Sequence, residues 1–305
     1  MSFEGKANAA GWFKGEGGRF EFVSKIPGFS TPPVGSSDGF QVKFITGDRM
    51  NHFFVPPEWI KEETIQFGGD IAHQIQRVLR LKTGEQIIAL DNQGFAYEVV
   101  LDRISSEGVS GKVVAKKVAS GEPGIRLHLY LCLTQRDKFE WMLQKCTEIG
   151  AASFTPLISE RSLEQNPQNA AKKMERWQKI IQEAAEQCQR GRIPAMHPVM
   201  SYQDGLQNAF QTSQCAILAW EGEHSRSLQD VLAHNRAVKD IALIIGPEGG
   251  LSDIEARQAQ AAGVNLISLG ARILRMETAA IVTTALVLNQ LGELEPNLSG
   301  AAADS

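Results

Sequence analysis

Two glycine-bearing turns in the last third of the chain constrain its architecture most. The apolar run Ile241-Ala242-Leu243-Ile244-Ile245 breaks at Gly246-Pro247-Glu248-Gly249-Gly250. The run Val264-Asn265-Leu266-Ile267-Ser268 breaks at Leu269-Gly270-Ala271-Arg272-Ile273-Leu274-Arg275-Met276-Glu277-Thr278. Short, continuously apolar runs read as strands buried on both faces. Glycine directly after such a strand admits positive φ and lets the backbone approach a ligand. In open α/β sheets, ligands sit at the carboxyl ends of the strands.

The flanking pattern agrees with that class. Residues 127–133, 215–219, 241–245 and 264–269 read as strands. Residues 138–149 read as a helix, with Phe139, Met142, Leu143 and Cys146 on one face. Residues 170–189 and 277–291 read as further helices. Ser252 and Glu255 form a capping box that opens a helix reaching Ala262, and Gly263 ends it. Such alternation predicts a mostly parallel sheet with helices on both faces. Residues 50–120 differ: short strands at 87–90, 95–104 and 108–117, with an Asp91-Asn92-Gln93-Gly94 turn, suggest a small barrel holding one helix at 71–81. Ser120-Gly121-Glu122-Pro123-Gly124 reads as a hinge to residues 121–295. Residues 1–49, rich in glycine with Pro27, Pro32 and Pro33, read as a flexible N-terminal extension, and 296–305 as a disordered tail.

Bulk properties narrow the function classes. A net charge of −4 over 305 residues argues against a generally basic nucleic-acid coat but leaves room for a local cationic face. Cys132, Cys146, Cys188 and Cys215 lie far apart, which fits reduced thiols in a cytoplasmic protein rather than a disulfide or zinc framework. The histidines have no metal-ligand spacing, so no metal is expected. No apolar stretch approaches the roughly 18–20 residues of a membrane span, and the N-terminus lacks a basic-then-apolar signal design. The lysine and hydroxyl pair of a phosphate-binding loop is absent from the Gly246 turn, which disfavours a nucleotide-phosphate enzyme.

Taken with the two turns, five further segments carry a resemblance. They are Met50 to Pro57 (MNHFFVPP), Arg77 to Gly84 (RVLRLKTG), Gln144 to Gly150 (QKCTEIG), Glu160-Arg161-Ser162 and Glu183 to Arg190 (EAAEQCQR). In this order, over about residues 50–295, the chain resembles the SPOUT methyltransferases, and most closely the ribosomal RNA small subunit methyltransferase E family, which modifies uridine N3 of 16S ribosomal RNA. The resemblance implies a trefoil-knotted α/β domain behind a PUA-like RNA-binding β-barrel, S-adenosyl-L-methionine as cofactor, and a homodimer. It begins at Met50, so Met50 is expected to be the biological start. Two positions depart from the family pattern: His52 stands where arginine is common, and Cys188 where serine is common.

The resemblance also implies a site. Leu218, Trp220, Gly246, Pro247, Glu248, Gly249, Leu269, Gly270, Ile273 and Leu274 would hold the cofactor. Arg275 and Arg190 would stabilise charge on the reacting base, and Glu248 or Glu277 would take its proton. Arg77, Arg80, Lys82, Arg136, Lys145, Arg161, Gln187 and Arg190 would grip 16S ribosomal RNA or the small ribosomal subunit. Read without the resemblance, each has a plainer role: glycine for a turn, Glu277 as a helix cap, Arg190 and Arg275 as surface ion pairs. From another function class, a non-catalytic RNA-binding assembly factor on the same scaffold would not need the two glycine turns.

Overall fold

The computed structural model describes residues 11–16, 19–24, 50–105 and 108–295. Residues 1–49 form a unit of their own, apart from Met50–Ser305. Within it β1 (Gly11–Glu16) and β2 (Arg19–Ser24) pair antiparallel, regular structure where the sequence suggests little. The rest of the expected extension, and the tail at 296–305, lie outside the described residues.

The second unit opens with β3 (Asn51–Phe54), β4 (Ile60–Lys61), β5 (Thr64–Phe67), β6 (Gln86–Leu90), β7 (Phe95–Ser105) and β8 (Gly108–Val118). They form one sheet in the order β3-β6-β7-β8-β5-β4, with β3 parallel to β6 and the other pairs antiparallel. Alternation in β5 turns Ile65 and Phe67 inward and leaves Thr64 and Gln66 in water. Ile65, Ile87, Val99 and Leu101 meet in one core with Phe53. The helix expected at 71–81 is α1 (Gly69–His73), which runs on into a π-helical turn over Gln74–Val78. Arg80 then takes a left-handed φ of 54°, which ends any helical path early.

The second half is α/β. Its elements are β9 (Arg126–Cys132), α2 (Arg136–Ile149), β10 (Ser153–Ile158), α3 (Pro167–Ala171), α4 (Met174–Gln187), β11 (Ala195–Met196) and β12 (Met200–Ser201). They continue with α5 (Tyr202–Thr212), β13 (Cys215–Ala219), α6 (Leu228–Ala233), β14 (Asp240–Ile245), α7 (Asp253–Ala261), β15 (Asn265–Ile267) and α8 (Met276–Gln290). Every pairing in this sheet is parallel, in the order β11-β10-β9-β14-β13-β15, with β12 also on β10. After β15 at the sheet edge the chain turns back, and α8 packs on α2 and β14. The expected fold class, a SPOUT-type α/β domain behind a PUA-like domain, is the fold found. The helix expected at 170–189 is instead two: Asn166 caps α3 by accepting from Gln168 N at 2.9 Å, and the chain restarts as α4 after Lys173.

The two domains are stitched together. Phe54 N donates to Glu186 Oε1 (3.1 Å), Ile193 N to Asn92 Oδ1 (2.7 Å) and Arg192 Nη2 to the Gln93 carbonyl (2.6 Å). Burial pushes the Glu186 carboxyl up, against the hydrogen bonds from Gln182 and Phe54. The stretch read as a hinge is held as well, since Glu122 accepts from Arg190 and from Arg192 N, and Gly124 N donates to Glu293.

Candidate functional site

Strands β14, β13 and β15 are neighbours and parallel, so the segments that leave their carboxyl ends lie together. Trp220 N donates to the Ile267 carbonyl (3.1 Å) and Ser268 N to the Arg226 carbonyl (2.8 Å), which ties the segment after β13 to the one after β15. These segments and the start of α2 enclose a cavity of about 630 Å³. That lies within the roughly 300–1,000 Å³ of small-molecule sites.

The turn after β14 is braced by protein groups. Gly250 N donates to the Pro247 carbonyl at 2.9 Å, and Arg161 Nη1 to the Gly249 carbonyl at 3.0 Å. Lys138, in the first turn of α2, ion-pairs with Glu248. A Cβ on Gly246 would stand 2.9 Å from Leu251 Cγ, so glycine there is a packing requirement. Gly250 has φ 71°, and a Cβ on it would collide with Glu221 Oε1. The loop after β15 is built otherwise. Gly270 has φ 98°, with no atom within 4 Å of where its Cβ would be. Ile273 is 89% exposed, and no amide from Ala271 to Arg275 donates a hydrogen bond among the described residues.

Of the sequence-predicted residues, Trp220, Gly246, Pro247, Glu248, Leu269, Gly270, Ile273, Leu274, Arg275 and Glu277 all line this one cavity. Leu218 and Gly249 do not. Leu218 is fully buried within β13, one residue short of the strand end, and Gly249 faces Arg161. Arg190 is a correction. It is 3% exposed, and its guanidinium donates to the Thr147 and Ala151 carbonyls (3.1 and 2.6 Å) and to both oxygens of Glu122. A guanidinium so bonded holds the end of α4 to α2 and the linker. Four of its five N–H donors are taken, and its burial keeps the side chain away from a phosphate or a base.

The expected cationic face is divided. Arg77, Arg80 and Lys82 are exposed on the first domain, and Gln187 is exposed at the end of α4. Arg136 is tied to Glu140 (3.0 Å) and Lys145 to Glu148 (2.8 Å). Gln135, Lys138, Glu221, His224 and Arg272 line the cavity and were not read as cofactor contacts. Gln135 and Lys138 enter because β9, which feeds α2, lies beside β14. Burial lifts the Cys132 and Cys146 thiols to about 12 and raises Cys188, which leaves none of the three as a ready thiolate. Among the described residues no cluster of three or more His, Cys, Asp or Glu could hold a metal ion, and no helix is long and apolar enough to cross a membrane.

Residues 121–288 match the model of an RNA methyltransferase domain, and residues 67–114 that of an RNA methyltransferase PUA domain. The first match spans more than half of the chain. The chain belongs to the ribosomal RNA small subunit methyltransferase E family. The family member of Bacillus subtilis (strain 168) is 32% identical over 234 residues, 74% of this chain and 90% of its own. That of Synechocystis is 33% identical over 233 residues, 76% of this chain and 75% of its own. Among solved structures, the family member from Neisseria gonorrhoeae, bound to S-adenosyl methionine, superposes with a TM-score of 0.72 at 27% identity. That match covers 79% of this chain and 98% of the other.

Proposed function

We propose that this protein is an S-adenosylmethionine-dependent methyltransferase that acts on N3 of a specific uridine in 16S ribosomal RNA, in the cytoplasm and as a homodimer. The observation that carries the reading is the cavity at the carboxyl ends of β13, β14 and β15, in a chain of this family.

The cavity suits the cofactor. Leu251, Leu269, Leu274 and Met276 supply apolar wall, and Glu221 and Glu248 supply carboxylates for a cationic ligand. The space over Gly270 gives a flat ring room against the backbone. When bound, the cofactor supplies a methyl group already activated on a sulfonium sulfur. The protein's own share is alignment of the acceptor and management of charge. Methylation at uridine N3 displaces a proton and spreads negative charge onto the flanking carbonyl oxygens. Arg275 and Arg272 are exposed, line the cavity and, among the described residues, pair with no carboxylate, so both are available to that charge, and Arg275 stands nearer the start of α8. Arg77, Arg80 and Lys82 on the PUA-like domain, with Arg136, Lys145, Arg161 and Gln187, would face the RNA backbone. The junction between the domains would keep that grip in register with the cavity. Val282 and Leu286, exposed one turn apart on α8, offer the apolar stripe on which a second copy would close.

The test is nucleoside mass spectrometry. Small subunits lacking the modification, incubated with the protein and S-adenosylmethionine, should gain one N3-methyluridine per 16S RNA. No gain on free RNA or on subunits, from a protein that binds RNA, would favour the non-catalytic assembly factor.

A further inference from the structure

The proton on uridine N3 must leave for the methyl group to arrive, and three carboxylates line the cavity: Glu221, Glu248 and Glu277. Glu221 and Glu248 are exposed, and Glu248 is held by Lys138. Glu277 is buried at 7% exposure, and its Oε2 has no hydrogen-bond partner. A buried carboxylate oxygen without a donor is costly, by about 1–3 kcal/mol or more for a charged group. The bland explanation, a carboxylate capping its own helix, can be judged within the same molecule. At the start of α6, Asp230 accepts from Ser227 N at 2.9 Å, and at the start of α7, Glu255 accepts from Ser252 N at 2.9 Å. At the start of α8 the cap residue is Arg275, no side chain closes the end, and Oε2 of Glu277 accepts nothing. Glu277 lies one position earlier in its helix than those two, and unlike the first-turn carboxylates Asp137 of α2 and Glu175 of α4 it is buried, against the cavity wall.

Resting on the uridine-N3 reading, we propose that Glu277 is the catalytic base. The N3–H bond breaks and its proton passes to Glu277. The electron pair left on N3 forms the bond to the methyl carbon as the carbon–sulfur bond breaks, with that pair remaining on sulfur. Arg275, two residues before Glu277, meets the charge that builds on the carbonyl oxygens. The other titratable groups around the cavity are Lys138, Glu221, His224, Glu248, Arg272 and Arg275.

The experiment compares wild type, Glu277→Gln and Glu277→Asp in single-turnover methyl transfer to small subunits from pH 6 to 9, at saturating S-adenosylmethionine. Calorimetric cofactor affinity and Tm are measured on the same samples. Glu277→Gln should bind the cofactor within about threefold of wild type and lose about 100-fold or more in rate at pH 7. Its rate should then climb about tenfold per pH unit, since only the N3 anion formed in solution can react. Glu277→Asp should recover part of the rate with a flatter profile. A Gln variant within threefold of wild type overturns the proposal, and so does one that loses cofactor affinity with turnover at saturation intact. An equal rate loss at every pH, unrescued by Asp, also overturns it and makes the residue structural. Wild type transferring no methyl to uridine N3 is a separate failure, that of the functional reading, and removes the proposal with it.

Discussion

Around the Gly246 turn the backbone is held by protein groups: the Lys138 ion pair, the Arg161 hydrogen bond and the Leu251 side chain that would collide with any Cβ on Gly246. Across the loop after β15, from Ala271 to Arg275, no amide is satisfied by the described residues, and Ile273 stands almost wholly in solvent. Both segments line one cavity. The difference teaches that the cavity has one wall fixed by the protein's own contacts and one whose amides, bonded to no protein group among the described residues, are open to water or to a ligand. On the proposed function, the cofactor meets the fixed wall first and supplies partners to the amides of the other.

The largest effect should come from exchanging the two kinds of glycine. Gly270→Val keeps free space around the side chain but forces a β-branched residue into φ 98° and fills the ligand's place. Cofactor affinity in calorimetry should fall about 100-fold, roughly 2.7 kcal/mol, in addition to the roughly 1–3 kcal/mol of stability that the strained backbone costs. Gly250→Val meets the same kind of strain at φ 71°, and the exposed Glu221 carboxylate can swing aside, so it should lose a similar amount of stability, about 1–3 kcal/mol, with a smaller loss of affinity. Equal affinity losses for the two variants would break the comparison.

The same contrast explains what could be read from the chain. Strands that end at glycine, the Ser252–Glu255 capping box and the alternation of strand and helix are local patterns, and the structure has them in place. Gln135 and Lys138 escaped notice as cavity residues because strand order is a tertiary fact: nothing local in β9 says that it will lie beside β14. Arg190 and Arg275 both stand at helix ends and look alike in sequence. Burial and its hydrogen bonds make one a clasp, and exposure beside the cavity leaves the other free to act. The break between α3 and α4 was hidden because Lys172 and Lys173 suit a helix, so only the Asn166 cap upstream signalled a separate start.

Hydrogen exchange sharpens the comparison at intermediate size. Amides 271–275 should exchange freely without cofactor and slow by about tenfold or more when it binds, whereas the Gly250 amide, already bonded to Pro247, should change little. Uniform slowing of both segments would mean that the turn after β14 is no more fixed than the loop.

The smallest effect concerns the helix that braces the fixed wall. In α2, Glu140 sits between Arg176 and Arg136, and the hydrogen bonds from Arg176 first, then Arg136, hold its carboxyl below the usual range. A folded-state value below the unfolded one contributes stability that is present above the unfolded value and is lost as pH falls through the folded one. Glu140→Gln should therefore lower stability at neutral pH, by about 1 kcal/mol or less because both arginines are more than half exposed. The gap from wild type should close below the ordinary carboxylate range. A gap that widens on acidification would contradict the ion-pair account.

The most direct measurement of the central claim is calorimetric titration of the full chain with S-adenosylmethionine, wild type against Gly270→Val. The account predicts saturable binding at one site per chain, lost in the variant although it still unfolds cooperatively at a Tm above the assay temperature. A folded wild-type protein that takes up no cofactor, or a variant that binds it as tightly as wild type, would contradict the assignment of this cavity.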